Sequence, residues 1–163
     1  MLTDLTGQVG IVMHGTTFWP KVIERVTNSH SHHVVVAVSH THCIGAQPGG
    51  ARLRPISDFH NITWSRFELT DLQRWGIGFY CRSLINAPYN YAAFVLIGLR
   101  FMLHAKIPGW LQRAVSTTYR VECAQLADSA LTAVDVTAFD DGREPGLVFP
   151  GSWEQLFIKR GWL

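Results

Sequence analysis

Cys123 stands where the extended run Thr118-Tyr-Arg-Val121 gives way to a stretch with helical periodicity. A thiol at a helix N-terminus meets unpaired backbone N–H groups and the positive end of the helix dipole. Both favour the thiolate, which is the nucleophilic form. The same amides could stabilise an oxyanion. The simpler reading is a small buried residue on an alanine-rich helix, since free cysteine is among the most buried residue types. A nucleophilic cysteine also needs a base, and the candidate is His33, which opens the apolar run His33-Val-Val-Val-Ala-Val-Ser39. On a straight strand His33, Val35, Ala37 and Ser39 share one face, while His32, Val34, Val36 and Val38 share the other. Only one of the adjacent histidines can then meet Cys123. The simpler reading of a strand-end histidine is a solvated or hydrogen-bonded residue. Cys123 and His33 are 90 residues apart, so they form a catalytic pair only where the fold joins them.

Eight histidines are many for this length, and His30, His32, His33, His40 and His42 crowd one short stretch. Together with Cys43, several of them have donor chemistry suited to zinc. Their spacing matches no zinc signature, so no metal is expected. The three cysteines include no Cys-x-x-Cys pair, which argues against a disulfide framework or a cysteine-based zinc ribbon. Nucleophilic attack by a thiol with a histidine base needs no cofactor.

The elements that must position these residues follow from periodicity. Gln8–Met13 is a short apolar strand after Gly7. Trp19 to Val26 has helical spacing, with Pro20 suited to the first helical position. His33–Ser39 is β-branched and continuous, which predicts a buried strand. Ser39–His42 is a turn, Cys43–Ala46 a short strand, and Pro48-Gly49-Gly50 a turn. Ala51–Arg54 and Asn61–Leu69 are further strand candidates, and short connections between neighbours predict an antiparallel sheet. Thr70 is placed as the N-cap of a helix carrying Asp71, Leu72, Trp75, Phe79 and Leu84. Asn86–Asn90 is a turn. Tyr91–His104 reads as an apolar helix ending before Pro108-Gly109. Cys123, Ala127, Ala130, Leu131 and Val134 form one stripe of another helix. Asp140–Gly151 is loop, and Ser152 caps a terminal helix with Trp153, Leu156 and Phe157. Strands first and helices later predict an α+β fold.

Composition narrows the function classes. The chain has 163 residues, 47% hydrophobic and 16% charged, so it can bury a core as one domain spanning residues 1–163. Its net charge is +2 without a basic block, which argues against nucleic-acid binding. The start Met1-Leu-Thr-Asp-Leu-Thr lacks a basic segment followed by an apolar one, so no signal peptide is read and a cytoplasmic location is the default. The apolar stretch Ala92–Leu103 is broken by Arg100 and is too short for a membrane span.

Five segments resemble one family in order. Thr6-Gly-Gln-Val-Gly-Ile-Val12 resembles the opening Gly-Asp-strand of the circularly permuted NlpC-type papain-like thiol hydrolases. Val22-Ile-Glu-Arg-Val-Thr27 and the later Ser31-His-His-Val-Val-Val36 are similar to that group's I-x-x-x-T and S-H-V-G-I segments. Cys43 to Phe59 is similar to its hairpin, and Ala87-Pro-Tyr-Asn-Tyr91 to its G-x-P-Y-D-W turn. Val121-Glu-Cys-Ala-Gln-Leu-Ala-Asp-Ser-Ala-Leu131 resembles its nucleophile helix. The histidine strand precedes the cysteine helix in this branch, as it does in the lecithin:retinol acyltransferase group.

The resemblance implies a papain-like α+β domain and a cysteine peptidase or amidase acting on peptide, isopeptide or peptidoglycan stem-peptide bonds, which also raises a bacterial or phage origin. It implies Cys123 as nucleophile and His33 as base, with Tyr89 beside the site. Two positions depart from the pattern: Gln8 replaces the common Asp, and Gly45 stands where a Glu or His often orients the imidazole. Gln47, two residues on, is the candidate substitute. Acyl transfer or lipid amide and ester hydrolysis is the alternative close in chemistry. A non-catalytic binding domain of the same fold is the alternative of another class, motivated by Gly45.

Overall fold

The structure is a computed structural model, and it describes residues 4–14, 29–47, 49–88, 122–141 and 148–163. Among these, five strands form one antiparallel sheet in the order β4-β3-β2-β1-β5. They are β1 (Val9–Met13), β2 (Ser31–Ala37), β3 (His42–Gln47), β4 (Gly50–Pro55) and β5 (Ile62–Trp64). A single 3-10 turn, Ile56–Asp58, follows β4. Among the described residues three helices come after the strands: α1 (Asp71–Ser83), α2 (Cys123–Thr132) and α3 (Pro150–Arg160). The fold is therefore α+β, with the helices packed against the sheet. The expected helices at Trp19–Val26 and Tyr91–His104 lie outside the described residues, as does Tyr89.

Alternation along the strands sorts the core. Val9 and Ile11, Val34 and Val36, and Ile44, Ala46 and Ala51 join a core with Cys123, Leu126, Ala127, Leu131, Trp153 and Phe157. The intervening residues Val12, Val35, Ala37 and Cys43 are also buried but stand outside that core. Burial of both faces is why β2 reads as an unbroken β-branched run rather than as alternation.

Local chemistry sets the ends of the elements. β2 begins and ends two residues earlier than the apolar run suggests, because the amides of Val38 and Ser39 turn back to the carbonyl of His42. β5 is confined to Ile62–Trp64. Beyond it, the Gln8 carboxamide replaces the strand ladder: it donates to the Phe67 carbonyl at 2.9 Å and accepts from the Phe67 amide at 3.0 Å and the Ser65 hydroxyl at 2.6 Å. Gln8 thus serves as a buried clamp between β1 and the segment leaving β5. Thr70 caps α1 as expected, with Gln73 returning a hydrogen bond to complete a capping box. Helix α3 starts at Pro150, ahead of the expected cap Ser152, because proline's fixed φ suits the first helical position.

Candidate active site

Helix α2 brings Cys123 to the sheet. Its N-cap is Glu122, which is buried and whose carboxylate accepts the amide of Gln125 at 3.3 Å. Cys123 is the first helical residue and packs into the core with Val34 of β2. The Cys123 thiol donates to Glu122 Oε1 at 3.2 Å. The sequence leads to a thiol with lowered pKa, and the structure reverses this. Burial, the Glu122 charge and the hydrogen bond to that carboxylate push the Cys123 thiol well above its ordinary value. The backbone amides of Val34 and Ala124 oppose these effects and are outweighed. Burial in turn raises the Glu122 carboxyl to about 7, against the hydrogen bonds from Cys123 and from the Gln125 and Ala124 amides.

His33 is not brought to Cys123. A Cβ built on Gly45 would lie 2.9 Å from His33 Nε2 and 2.9 Å from Val35 Cγ1. Gly45 alternates with Ile44 and Ala46, which face the helical core holding Cys123. His33 therefore occupies the opposite side of the sheet. Its ring stacks on Phe59 with centroids 5.8 Å apart, and Arg54 lies over the same Phe59 ring. Burial, assisted by His32 and Arg54, pushes the His33 pKa down to about 3, so the imidazole is neutral across the physiological range. Nε2 is buried without a hydrogen-bond partner. Gln47 is on the His33 side by alternation from Gly45, and it does not engage Nε2. The missing side chain at Gly45 has a steric reason: it makes room for the His33 ring.

The neighbouring histidine sits at an irregularity of the strand. Val12 of β1 opposes His33 while Met13 opposes Ser31, so His32 is an extra residue, a bulge in β2. Regular alternation fails there. Ser31, on one side of His32, donates its amide to Glu154 of α3 at 3.1 Å. Val34, just beyond His33, lies against the Cys123 sulfur. The same Glu154 carboxylate accepts the His30 amide at 2.7 Å and contacts His30 Nδ1 at 3.1 Å. Helix α3 is tied to α2 as well, since Trp153 Nε1 donates to the Ala124 carbonyl at 3.1 Å.

Two further segments reach this end of the sheet. β3 runs antiparallel to β2 and finishes at Gln47, beside the start of β2. The turn at Asn86-Ala87 is seated on the start of β4: the Ala51 amide donates to Ala87 and the Asn86 amide donates to Ala51. Gly50, with φ at 109°, allows this approach, because a Cβ there would be 2.6 Å from the Ala87 carbonyl oxygen. The start of β2, the end of β3, the Ala87-Pro88 turn and the start of α2 thus gather at one end of the sheet. Among the described residues no group of three or more His, Cys, Asp or Glu is placed to hold a metal ion. Nor is any helix among them long and apolar enough to cross a membrane.

Sequence reasoning passed over Glu122, Glu154 and the bulge at His32. Glutamate is not among the side chains that usually cap helices, so no capping signal pointed to Glu122. The chain matches no known family model, and no curated protein gives a significant match.

Proposed function

We propose that this protein is a papain-like thiol hydrolase acting on amide bonds, with Cys123 as nucleophile. The observation that supports it best is the gathering of sequence-distant segments at one end of the sheet. The start of β2, the end of β3 and the Ala87-Pro88 turn lie at that end, and the first turn of α2 meets β2 at Val34. These are segments whose sequences resemble the permuted NlpC-type group. In this reading the Cys123 sulfur attacks a carbonyl, amides at the start of α2 steady the oxyanion, and water releases the acyl-enzyme. The histidine partner is His32 rather than His33. His32 is the extra residue of the β2 bulge, next to Ser31, whose amide is held by Glu154 of α3. The substrate classes follow the resemblance: peptide, isopeptide or peptidoglycan stem-peptide bonds.

The raised thiol of Cys123 favours a second reading, a binding domain that retains the fold without turnover. One experiment separates the two. The protein is offered peptide, isopeptide and acyl-ester substrates beside Cys123→Ala, His32→Ala and His33→Leu variants. Hydrolysis lost in Cys123→Ala, lowered about a hundredfold or more in His32→Ala, and retained in folded His33→Leu supports the thiol hydrolase. Turnover that survives in Cys123→Ala, or no turnover of any substrate by the unmodified protein, refutes it.

A further inference from the structure

The residue in contact with the reacting atom is an acid. Glu122 Oε1 accepts the Cys123 thiol at 3.2 Å, from the position directly before it in the chain. Both side chains are buried. The carboxylate is fixed, because it also caps α2 through the Gln125 amide. A general base must lie within hydrogen-bonding reach of the proton it removes, and Glu122 Oε1 meets this requirement at Cys123. His33 is excluded by its position across the sheet.

We propose that Glu122 is a catalytic residue: the base that takes the Cys123 proton as the sulfur attacks the substrate carbonyl. The proposal rests on the thiol-hydrolase reading and adds a role the family resemblance does not supply. In acylation the S–H bond breaks and the S–C bond forms, the proton passes to Glu122 Oε1, and the carbonyl π pair moves onto oxygen. When the adduct collapses, the C–N bond breaks and the leaving nitrogen takes that proton from Glu122. In deacylation water adds its hydroxyl to the thioester carbon and gives its proton to Glu122. The departing sulfur then recovers its proton from Glu122. The sum is one amide and one water converted to one acid and one amine.

The arrangement has a second consequence at the start of α2. The charged Glu122 carboxylate occupies the Gln125 amide, one of the N–H groups an oxyanion would use. Neutralised by the thiol proton, Glu122 becomes a weaker acceptor, and that amide is freed as negative charge develops on the substrate oxygen. Proton transfer and oxyanion binding are thereby linked through one side chain.

The test uses p-nitrophenyl acetate as acyl donor, with acetyl-Cys123 located by peptide mapping under single-turnover conditions. Glu122→Gln keeps an oxygen to accept the Gln125 amide, so the helix retains its cap, and near-ultraviolet circular dichroism checks the fold. Expected are acetylation of Cys123 in the unmodified protein, a loss of about a hundredfold or more in Glu122→Gln, and partial retention in Glu122→Asp. A solvent deuterium isotope effect in the unmodified protein should vanish in Glu122→Gln. Acetylation of Cys123 in folded Glu122→Gln at the unmodified rate or faster overturns the role of Glu122 while leaving the thiol-hydrolase reading standing. Absence of acetyl-Cys123 in the unmodified protein overturns both. Where Glu122→Gln does not fold, the Glu122→Asp rate and its isotope effect decide the same question, an unchanged rate without an isotope effect overturning the proposal.

Discussion

Acid should unfold this protein partly through one side chain. His33 is neutral in the folded state, its pKa pushed down to about 3 chiefly by burial, against an ordinary value of 6.5. Between these values the unfolded chain binds a proton that the folded chain refuses, so stability rises with pH across the window. The contribution is fully present above about pH 6.5 and is lost as pH falls toward 3. At about 1.4 kcal/mol per pH decade, the loss is about 2 kcal/mol near pH 5 and about 3 kcal/mol near pH 4. Against a typical stability of about 5–15 kcal/mol this is a large fraction. His33→Leu removes the titration while keeping a side chain of similar volume over Gly45. Urea unfolding of both proteins across the pH range gives the difference in stability at each pH. Groups common to both, including Glu122 across the sheet, cancel in that difference. The difference should move in favour of His33→Leu by about 2 kcal/mol between neutral pH and about pH 5. Parallel pH curves for the two proteins would refute the argument, as would an imidazole NMR resonance for His33 titrating near its ordinary value of 6.5 in the folded state.

Three other outcomes follow from the packing. Gly45→Ala drives a methyl group to within 2.9 Å of His33 Nε2 and 3.1 Å of the Val34 carbonyl oxygen, and should cost about 1–3 kcal/mol in urea unfolding. Gln8→Ala strips partners from the Ser65 hydroxyl and both backbone groups of Phe67, so thermal and urea unfolding should both show a loss of at least about 1–3 kcal/mol. Glu122 has the opposite linkage to His33: its raised carboxyl contributes stability that is fully present below 4.5 and lost as pH rises through about 7. Replacing it by Gln should flatten that part of the stability profile, and a profile unchanged by Glu122→Gln would contradict the burial argument.

Much of the sheet was legible because its signals are local. The β-branched run of β2 read correctly, and so did the Thr70 cap. So did the start of α2 at Cys123. The pairing of Cys123 with His33 was not legible. Which face of β2 meets the helices depends on long-range packing, and with both faces buried Val34 and Val35 carry no sign of it. The bulge compounds this, since an extra residue at His32 breaks the two-residue period on which the assignment of faces relies. Gly45 looked like a missing catalytic group, yet its smallness accommodates the very histidine it was expected to orient. The sign of the Cys123 shift was missed because helix-dipole reasoning ignores what already occupies the helix terminus, in this case the Glu122 carboxylate.

The clasp between Glu154 and the entrance to β2 joins residues up to 124 positions apart in the chain. Closing so long a loop is entropically costly and rewards the chain only when it is complete, a pattern that slows folding. The local hairpin of β3 and β4 has no such requirement. The tie between Glu154 and the start of β2 therefore belongs to the late contacts of the fold. Until α3 arrives, Ser31 and His30 lack the carboxylate that holds their amides. A nascent or partly unfolded chain can thus own a formed hairpin and an intact cysteine while the Glu154 clasp on the histidine segment is still open, which couples any reactivity of the thiol to completion of the fold.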